Sequence, residues 1–431
     1  MKYLLFILLL STTAMAQGKT PFEMELELAQ NGNAKAQYNL GTMFSRGEVV
    51  SQDYKEAVKW YRLAAEQGNA DAQGYLGTMY ANGKGIQQDY KKAAKWYLLA
   101  AEQGFAGAQF LLGLSYDTGK GVLQNYKEAV KWYRLAAEQG YVSAQYNLGG
   151  MFSNGKGIQQ DYKKAAKWYL LAAEQGAAKA QFLLGLSYDN GRGVQQDYNE
   201  AVKWYGLSAV QGYADAQGHL GTMYANGKGI QQDYKKAAKW YLLAAEQGFA
   251  GAQFLLGLSY DTGKGVLQNY KEAVKWYRLA ALQGYAAAQY NLGLSYSDGK
   301  SVPQNHKEAF RWYQLAAKQG HKKAQYNLGV SYKLGQGVLQ DEEEAIKWTQ
   351  LAAEQGDASA QRNLGVSHYF GKGVLTNYIV SYSWLNLARQ NGYPDTAKIF
   401  KLLANKMSKS DVAKAQALSQ RCLESDYEDC D

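Results

Sequence analysis

Cysteine, proline and histidine are scarce, at two, three and four in 431 residues. Two cysteines cannot make a disulfide framework, and no Cys/His group has zinc-like spacing. So few prolines and histidines suit a multi-loop enzyme poorly. The histidines, His219, His306, His321 and His368, sit in four different contexts and form no H-E-x-x-H or Cys–His pattern. Long apolar runs are missing as well. The N-terminal one, Tyr3 to Leu10, is too short to cross roughly 30 Å of hydrocarbon as a stable helix. With Lys2 before it and Ala14 and Ala16 as a small-x-small site after it, residues 1–16 read as a secretory signal peptide cleaved before Gln17. The mature chain is therefore expected to be exported, periplasmic or secreted, and not inserted in a membrane. What is abundant is core material: 47% of the residues are hydrophobic, which excludes general disorder.

A single period organises that material. All ten tryptophans, Trp60, Trp96, Trp132, Trp168, Trp204, Trp240, Trp276, Trp312, Trp348 and Trp384, follow one another at 36 residues. The glutamines from Gln37 to Gln361 and the glycines from Gly41 to Gly365 keep the same step. A period in this range marks an array in which each unit stacks on its neighbour. A longer duplication is superposed on it: residues 70–141 and 214–285 differ only at Tyr75/His219 and Glu138/Leu282.

Within one unit, residues 69–104, Ala70, Ala72, Leu76, Met79 and Tyr80 fall on one helical stripe. Gly83 and Gly85 end that helix, and Asp89 stands where an N-cap is needed. A Glu three residues after the cap, as in Asp53/Glu56 and Asp197/Glu200, suggests a capping box. The second helix is expected to run to about Gln103, with Tyr90, Ala93, Ala94, Tyr97 and Ala101 inside. The tryptophans are read as core. The unit is thus helix–loop–helix, with helices of about 14 residues.

These residues resemble the Sel-1-like repeat family, relatives of the tetratricopeptide repeats. The stretch from Ala144-Gln145-Tyr146-Asn147-Leu148-Gly149 through Trp168-Tyr169 to Gly176 follows the family pattern, departing at Gly150 and Ile158. The resemblance covers ten units over 33–392. It implies an all-α, right-handed superhelical solenoid, with first helices lining a concave face, and adaptor or scaffold roles in bacterial envelope and secreted proteins. Flanking the repeats, 17–32 reads as an N-terminal capping helix with Met24 in the place of Trp. Residues 393–431 read as C-terminal capping helices, Asp395–Lys406 and Asp411–Cys422, and a tail. Cys422 and Cys430 are expected to pair and pin that tail.

Positions that vary between units are expected to face outward. One stripe steps through Lys35, Asn39, Thr42 and Arg46. Its second row reads Asn39, Tyr75, Leu111, Asn147, Leu183, His219, Leu255, Asn291, Asn327 and Asn363. Asparagine offers a donor and an acceptor to an extended peptide, so Asn39, Tyr75, Asn147, His219, Asn291, Asn327 and Asn363 are the candidate partner-binding row. The net charge of +9 is spread with interleaved acids over the second helices, which points away from nucleic acid. No cofactor or metal is expected, the partner is a protein or peptide, and the chain reads as a monomer. Ser153/Lys156 and Ser297/Lys300 satisfy S-x-x-K, as in penicillin-interacting enzymes, yet lie at a helix-to-loop junction where sister units carry Ala81 or Asp117. Cysteine-rich members of the family have β-lactamase-like or penicillin-binding activity, but this sequence lacks their cysteine pairs. A hydrolase and a purely structural envelope component stand as the alternatives to a non-enzymatic interaction scaffold.

Overall fold

The computed structural model describes residues 20–394, 397–427 and 429–430. The expected signal peptide, 1–16, lies outside the described residues. Twenty-three helices and no strand occur among the described residues. The chain forms two compact units, one ending at Gln211 and the other beginning at Gly212. Each contains five helical hairpins. In the first unit the first helices run Ala34–Arg46, Ala70–Asn82, Ala106–Thr118, Val142–Asn154 and Ala178–Asn190, each followed by a second helix such as Tyr90–Glu102. In the second unit the first helices are Ala214–Asn226, Ala250–Thr262, Ala286–Asp298, Lys322–Leu334 and Ala358–Phe370.

The local chemistry sets these boundaries. At the end of Ala70–Asn82, Gly83 adopts the left-handed conformation at φ 67° and closes the helix. Asp89 then accepts from the Lys92 amide at 2.9 Å and opens the next helix, which ends at Glu102 after 13 residues with Gln103 as its cap. The capping box expected at Glu56 and Glu200 does not form. Their carboxylates turn along the helix instead, Glu56 to Lys59, and Glu200 to Lys203 and to the Trp204 indole N–H at 3.0 Å. Complete boxes occur at the caps of the terminal helices, Thr20/Glu23 and Ser408/Asp411.

Packing between helices follows from one small and one large residue. The second-helix tyrosine lies across the first-helix glycine: a Cβ on Gly77 would meet the Tyr97 ring at 2.7 Å. Ala72, Leu76, Ala93, Ala100 and Tyr97 complete a core that runs on from repeat to repeat. Tyr90, expected inside, is exposed and carries the Lys120 ammonium over its ring. A polar ladder threads the apolar core. Buried Gln73 donates to the Ala65 carbonyl of the preceding repeat at 3.1 Å and accepts from Gln103 at 2.8 Å. The same pair of bonds recurs at Gln109 and Gln253, so the buried amides are satisfied.

The tryptophans divide into two groups, which corrects their uniform reading as core. Trp132, Trp204, Trp276, Trp312 and Trp384 are buried, whereas Trp60, Trp96, Trp168, Trp240 and Trp348 are half-buried. Three of the buried indoles pack back on the preceding repeat. Leu98, Leu170 and Leu242 share a cluster with Trp132, Trp204 and Trp276 respectively. In front of Trp168 the equivalent residue is Arg134, and an open cleft remains, bordered by Arg134, Glu138, Phe152 and Lys164.

At the front, Phe22 and Leu26 of Pro21–Gln30 cover Ala36, Leu40 and Trp60. At the back, helices Ala397–Ala404 and Lys409–Glu424 follow the last hairpin. A disulfide joins Cys422 to Cys430, with 4.5 Å between their Cα atoms, and holds Tyr427 in a left-handed turn. The Tyr427 hydroxyl accepts from Asn391 at 2.9 Å, and Asn391 itself closes the glutamine ladder on Gln361 at 2.9 Å.

Candidate functional site

The first helices present a face whose chemistry is mostly aromatic. In the first unit Tyr38 lies 5.8 Å from Tyr75, and Tyr75 stacks on Tyr61 at 5.5 Å and 12°. Phe110 lies 5.2 Å from Tyr141 and 5.9 Å from Tyr133. The second unit repeats the arrangement with Phe254, 5.3 Å from Tyr285 and 6.0 Å from Tyr277, and with Tyr290, 4.8 Å from the His321 ring. Tyr75, Tyr141 and Tyr285 are exposed at the outer ends of these stacks.

Where the first helix carries glycine instead, at Gly74 and Gly218, the ring of Phe105 or Phe249 fills the space; a Cβ there would approach the ring to 2.8 or 2.9 Å. This aromatic row is absent from the sequence expectation. The signal for it was present, as an exchange between the residue before the Asn row and the one 31 positions later: Gly74 with Phe105, Phe110 with Tyr141.

The Asn row lies between these rings and the tyrosine hydroxyls. Asn39, Asn147, His219, Asn291, Asn327 and Asn363 are half-buried, and Tyr75 alone of the candidate row is exposed. Asn39 donates to Glu25 of the N-terminal helix at 2.7 Å. Asn147 and Asn291 face the hydroxyls of Tyr133 and Tyr277. Asn327 reaches both Tyr290 and Tyr313, while Asn363 donates to Tyr326 at 3.3 Å and accepts from Arg362 at 3.0 Å. Each carboxamide thus spends part of its capacity within the chain, and its remaining donor or acceptor lies at the edge of an aromatic stack.

The rest of the stripe serves the same tyrosines. Thr42 is 3.2 Å from the Tyr61 hydroxyl, and Arg46 pairs with Glu48 at 3.5 Å. Tyr133, Tyr205 and Tyr277 donate to Asp117, Asp189 and Asp261 at 3.2–3.3 Å. Ser153 and Ser297, the serines of the S-x-x-K pattern, occupy the equivalent place and face Tyr169 and Tyr313. The Lys156 ammonium meanwhile sits over the Tyr126 ring at 5.4 Å. These serines stand where sister repeats place Asp beside the same tyrosine. Among the described residues no group of three His, Cys, Asp or Glu side chains is placed to hold a metal ion.

Burial raises these phenols. The hydroxyls of Tyr169 and Tyr313 are pushed up to about 12, with the hydrogen bonds from Ser153, Ser297 and Asn327 pulling the other way. Tyr133, Tyr205 and Tyr277 are raised further, because a carboxylate faces each buried ring. A phenol ionises near 10 in the unfolded chain, so the fold favours its neutral form. That contribution is complete below pH 10 and is lost as the pH rises from about 10 towards 12. The urea midpoint should therefore hold to about pH 10 and fall beyond it, with part of the phenolate absorbance appearing only on unfolding. Full phenolate absorbance in the folded protein at pH 11 would show that these rings are solvated.

Comparison with known proteins agrees with this architecture. The Sel1 repeat family matches in ten segments: 34–69, 70–105, 106–141, 142–176, 178–213, 214–249, 250–285, 286–321, 322–357 and 358–393. A protective antigen of uropathogenic Escherichia coli displaying an SLR fold is 35% identical, with a TM-score of 0.67 over 95% of this chain and 96% of its own. A Sel1 repeat protein from Oxalobacter formigenes is 36% identical, with a TM-score of 0.55 over 72% of this chain and 90% of its own. No curated protein matches the chain significantly.

Proposed function

The chain belongs to the Sel1 repeat family, and we propose that it is a non-enzymatic interaction scaffold that holds an extended peptide or protein segment against its first-helix face. The observation that carries this reading is the row of half-exposed aromatic stacks ending in Tyr75, Tyr141 and Tyr285, with carboxamides beside them. Such rings give large contact area at low ordering cost, and the amides Asn291, Asn327 and Asn363 have capacity left to pair with a peptide backbone. The rings are held in place by the core before any partner arrives, so little entropy is lost on binding.

The hydrolase alternative draws no support from Ser153 or Ser297, which stand where sister repeats carry Asp117, Asp189 and Asp261 against the same tyrosine. Lysines of the second helices pair with acids one turn away, as in Lys131 with Glu128 and Lys275 with Glu272, which argues against a nucleic-acid surface. Among the described residues no helix is long and apolar enough to cross a membrane. The leader-like N terminus supports work outside the cytoplasm, in the periplasm or beyond, and the likeness to a protective antigen is in keeping with it. The scaffold acts as a monomer in this reading.

Selection from a displayed peptide library tests the proposal. The wild-type chain should enrich peptides that bind it, and combined Asn291→Ala, Asn327→Ala and Asn363→Ala should weaken them about tenfold or more, equal to about 1.4 kcal/mol, with the helical signal retained. No enriched peptide, or unchanged affinity in the folded variant, would refute the row.

A further inference from the structure

Three second helices carry an arginine one turn before their last residue, at Arg62, Arg134 and Arg278. In two of these repeats the aromatic residue that the guanidinium reaches is a tyrosine. Arg62 donates to the Tyr80 hydroxyl at 3.3 Å, and Arg278 to the Tyr296 hydroxyl at 2.8 Å. In the third repeat the same position is Phe152, which has no acceptor. Arg134 is thereby left exposed, without a hydrogen bond or ion pair among the described residues.

An acid is left in the same state beside it. Glu138, one turn on and the last residue of the helix Tyr126–Glu138, is exposed and has no partner among the described residues, and the two side chains do not pair with each other. The neighbouring charges are used: Lys131 pairs with Glu128 at 3.7 Å, and Lys164 with its helix cap Asp161 at 3.4 Å. Glu138 is also one of the two positions at which the duplicated stretches differ. Its counterpart is Leu282, in the repeat where Tyr296 holds Arg278, and the tryptophan that follows, Trp312, is buried.

The two free charges stand on the rim of the cleft already described in front of Trp168, which lies wholly inside the first unit. Its volume is about 630 Å³, within the range of small-molecule sites. Its apolar wall is made by Ile158, the edge of Phe152 and the half-buried Trp168 indole. A guanidinium fork fits a carboxylate through two parallel bonds. The carboxylate of Glu138 fits an ammonium, and the carbonyls at its helix end favour a cation there as well. An ion of one sign would meet its own charge on this rim, whereas a ligand carrying both signs close together meets neither.

We propose that this cleft binds a free, zwitterionic α-amino acid with a bulky apolar side chain, its carboxylate on Arg134, its ammonium on Glu138 and its side chain against Trp168 and Ile158. None of the residues of the first-helix peptide row lines the cleft, so the inference is independent of that reading.

Titration calorimetry of the purified chain with L-phenylalanine tests it. The wild-type chain should bind L-phenylalanine. Phenylalaninamide, without the carboxylate, and N-acetylphenylalanine, without the ammonium, should each bind about tenfold more weakly or worse. Glycine, with both charges and no ring, should be weaker than L-phenylalanine as well. Phe152→Tyr installs the residue of the sister repeats, and its hydroxyl should draw Arg134 away and weaken L-phenylalanine about tenfold. Glu138→Leu, the residue of the duplicate, should weaken L-phenylalanine and leave N-acetylphenylalanine unchanged. Both replacements occur in sister repeats of the same fold, so the helical signal should persist, as should binding of peptides selected on the first-helix face. No binding of L-phenylalanine by the wild-type chain, or unchanged affinity in folded Phe152→Tyr, would overturn the proposal. So would tighter binding of N-acetylphenylalanine than of L-phenylalanine, which would make a peptide C-terminus the occupant.

Discussion

Replacing Gly265 by alanine should cost about 2–5 kcal/mol, and replacing Gly248 only about 1–2. Both glycines are left-handed, at φ 82° and 89°, a conformation that charges alanine about 1–2 kcal/mol at either site. They differ in what surrounds them. Nothing lies within 4 Å of a Cβ at Gly248, whereas at Gly265 it would press on the backbone carbonyl of Tyr234, which cannot rotate away. Overpacking of that kind adds about 1–3 kcal/mol. Urea melts of the two variants, followed by helical circular dichroism, make the comparison with the backbone term held constant. Equal midpoints would mean that the loop lifts off its neighbour without cost. A lower slope in the Gly265 variant would report that the stack melts in parts, as one-dimensional arrays can.

The second large effect is expected at Trp276. Truncation to alanine should cost about 3–5 kcal/mol, because the indole is buried with Tyr241 and Leu242 of the preceding repeat and Leu256 of its own, and leaves a cavity there. Trp168→Ala should cost about half as much, or roughly 1.5–2.5 kcal/mol, since one side of its ring already borders the open cleft at Arg134 and Phe152. Trp240, half-buried like Trp168, belongs with the smaller value. Equal losses at Trp276 and Trp168 in chemical denaturation would show that burial by the preceding repeat is not what sets the cost.

These two cases mark the limit of what the amino-acid order reveals. The hairpin, its caps and its closing glycines are local, and Asp89, Gly83 and the stripe from Ala72 to Tyr80 announce them directly. Trp132 behind Leu98 is buried and Trp168 behind Arg134 is not, yet Trp312 is buried behind Arg278, so no single position announces the outcome. Glu56 and Glu200 fit a capping pattern, but the neighbouring lysine and, at Glu200, the indole N–H compete for the carboxylate and win.

The candidate face was read only in part for a similar reason. Variation between units points to exposure. Yet Asp117, Ser153 and Asp189 share one repeat position and vary there while facing the same half-covered tyrosine hydroxyl, and Thr42, one turn earlier, meets that hydroxyl in another repeat. The aromatic row was hidden differently: tyrosine and phenylalanine are so common in the array that their outer members stand out only once Tyr75, Tyr141 and Tyr285 are seen against solvent.

The glutamine ladder has a consequence for how such a chain can lengthen. Each rung touches only the rung before and after it, so a copied pair of hairpins inserted in the middle finds matching rungs on both sides, as the near-identical stretches 70–141 and 214–285 suggest. Growth at the far end is a different matter. There Tyr427, gripped by its disulfide loop, occupies Asn391 where the next hairpin would have to seat, and so fixes the length of the ruler.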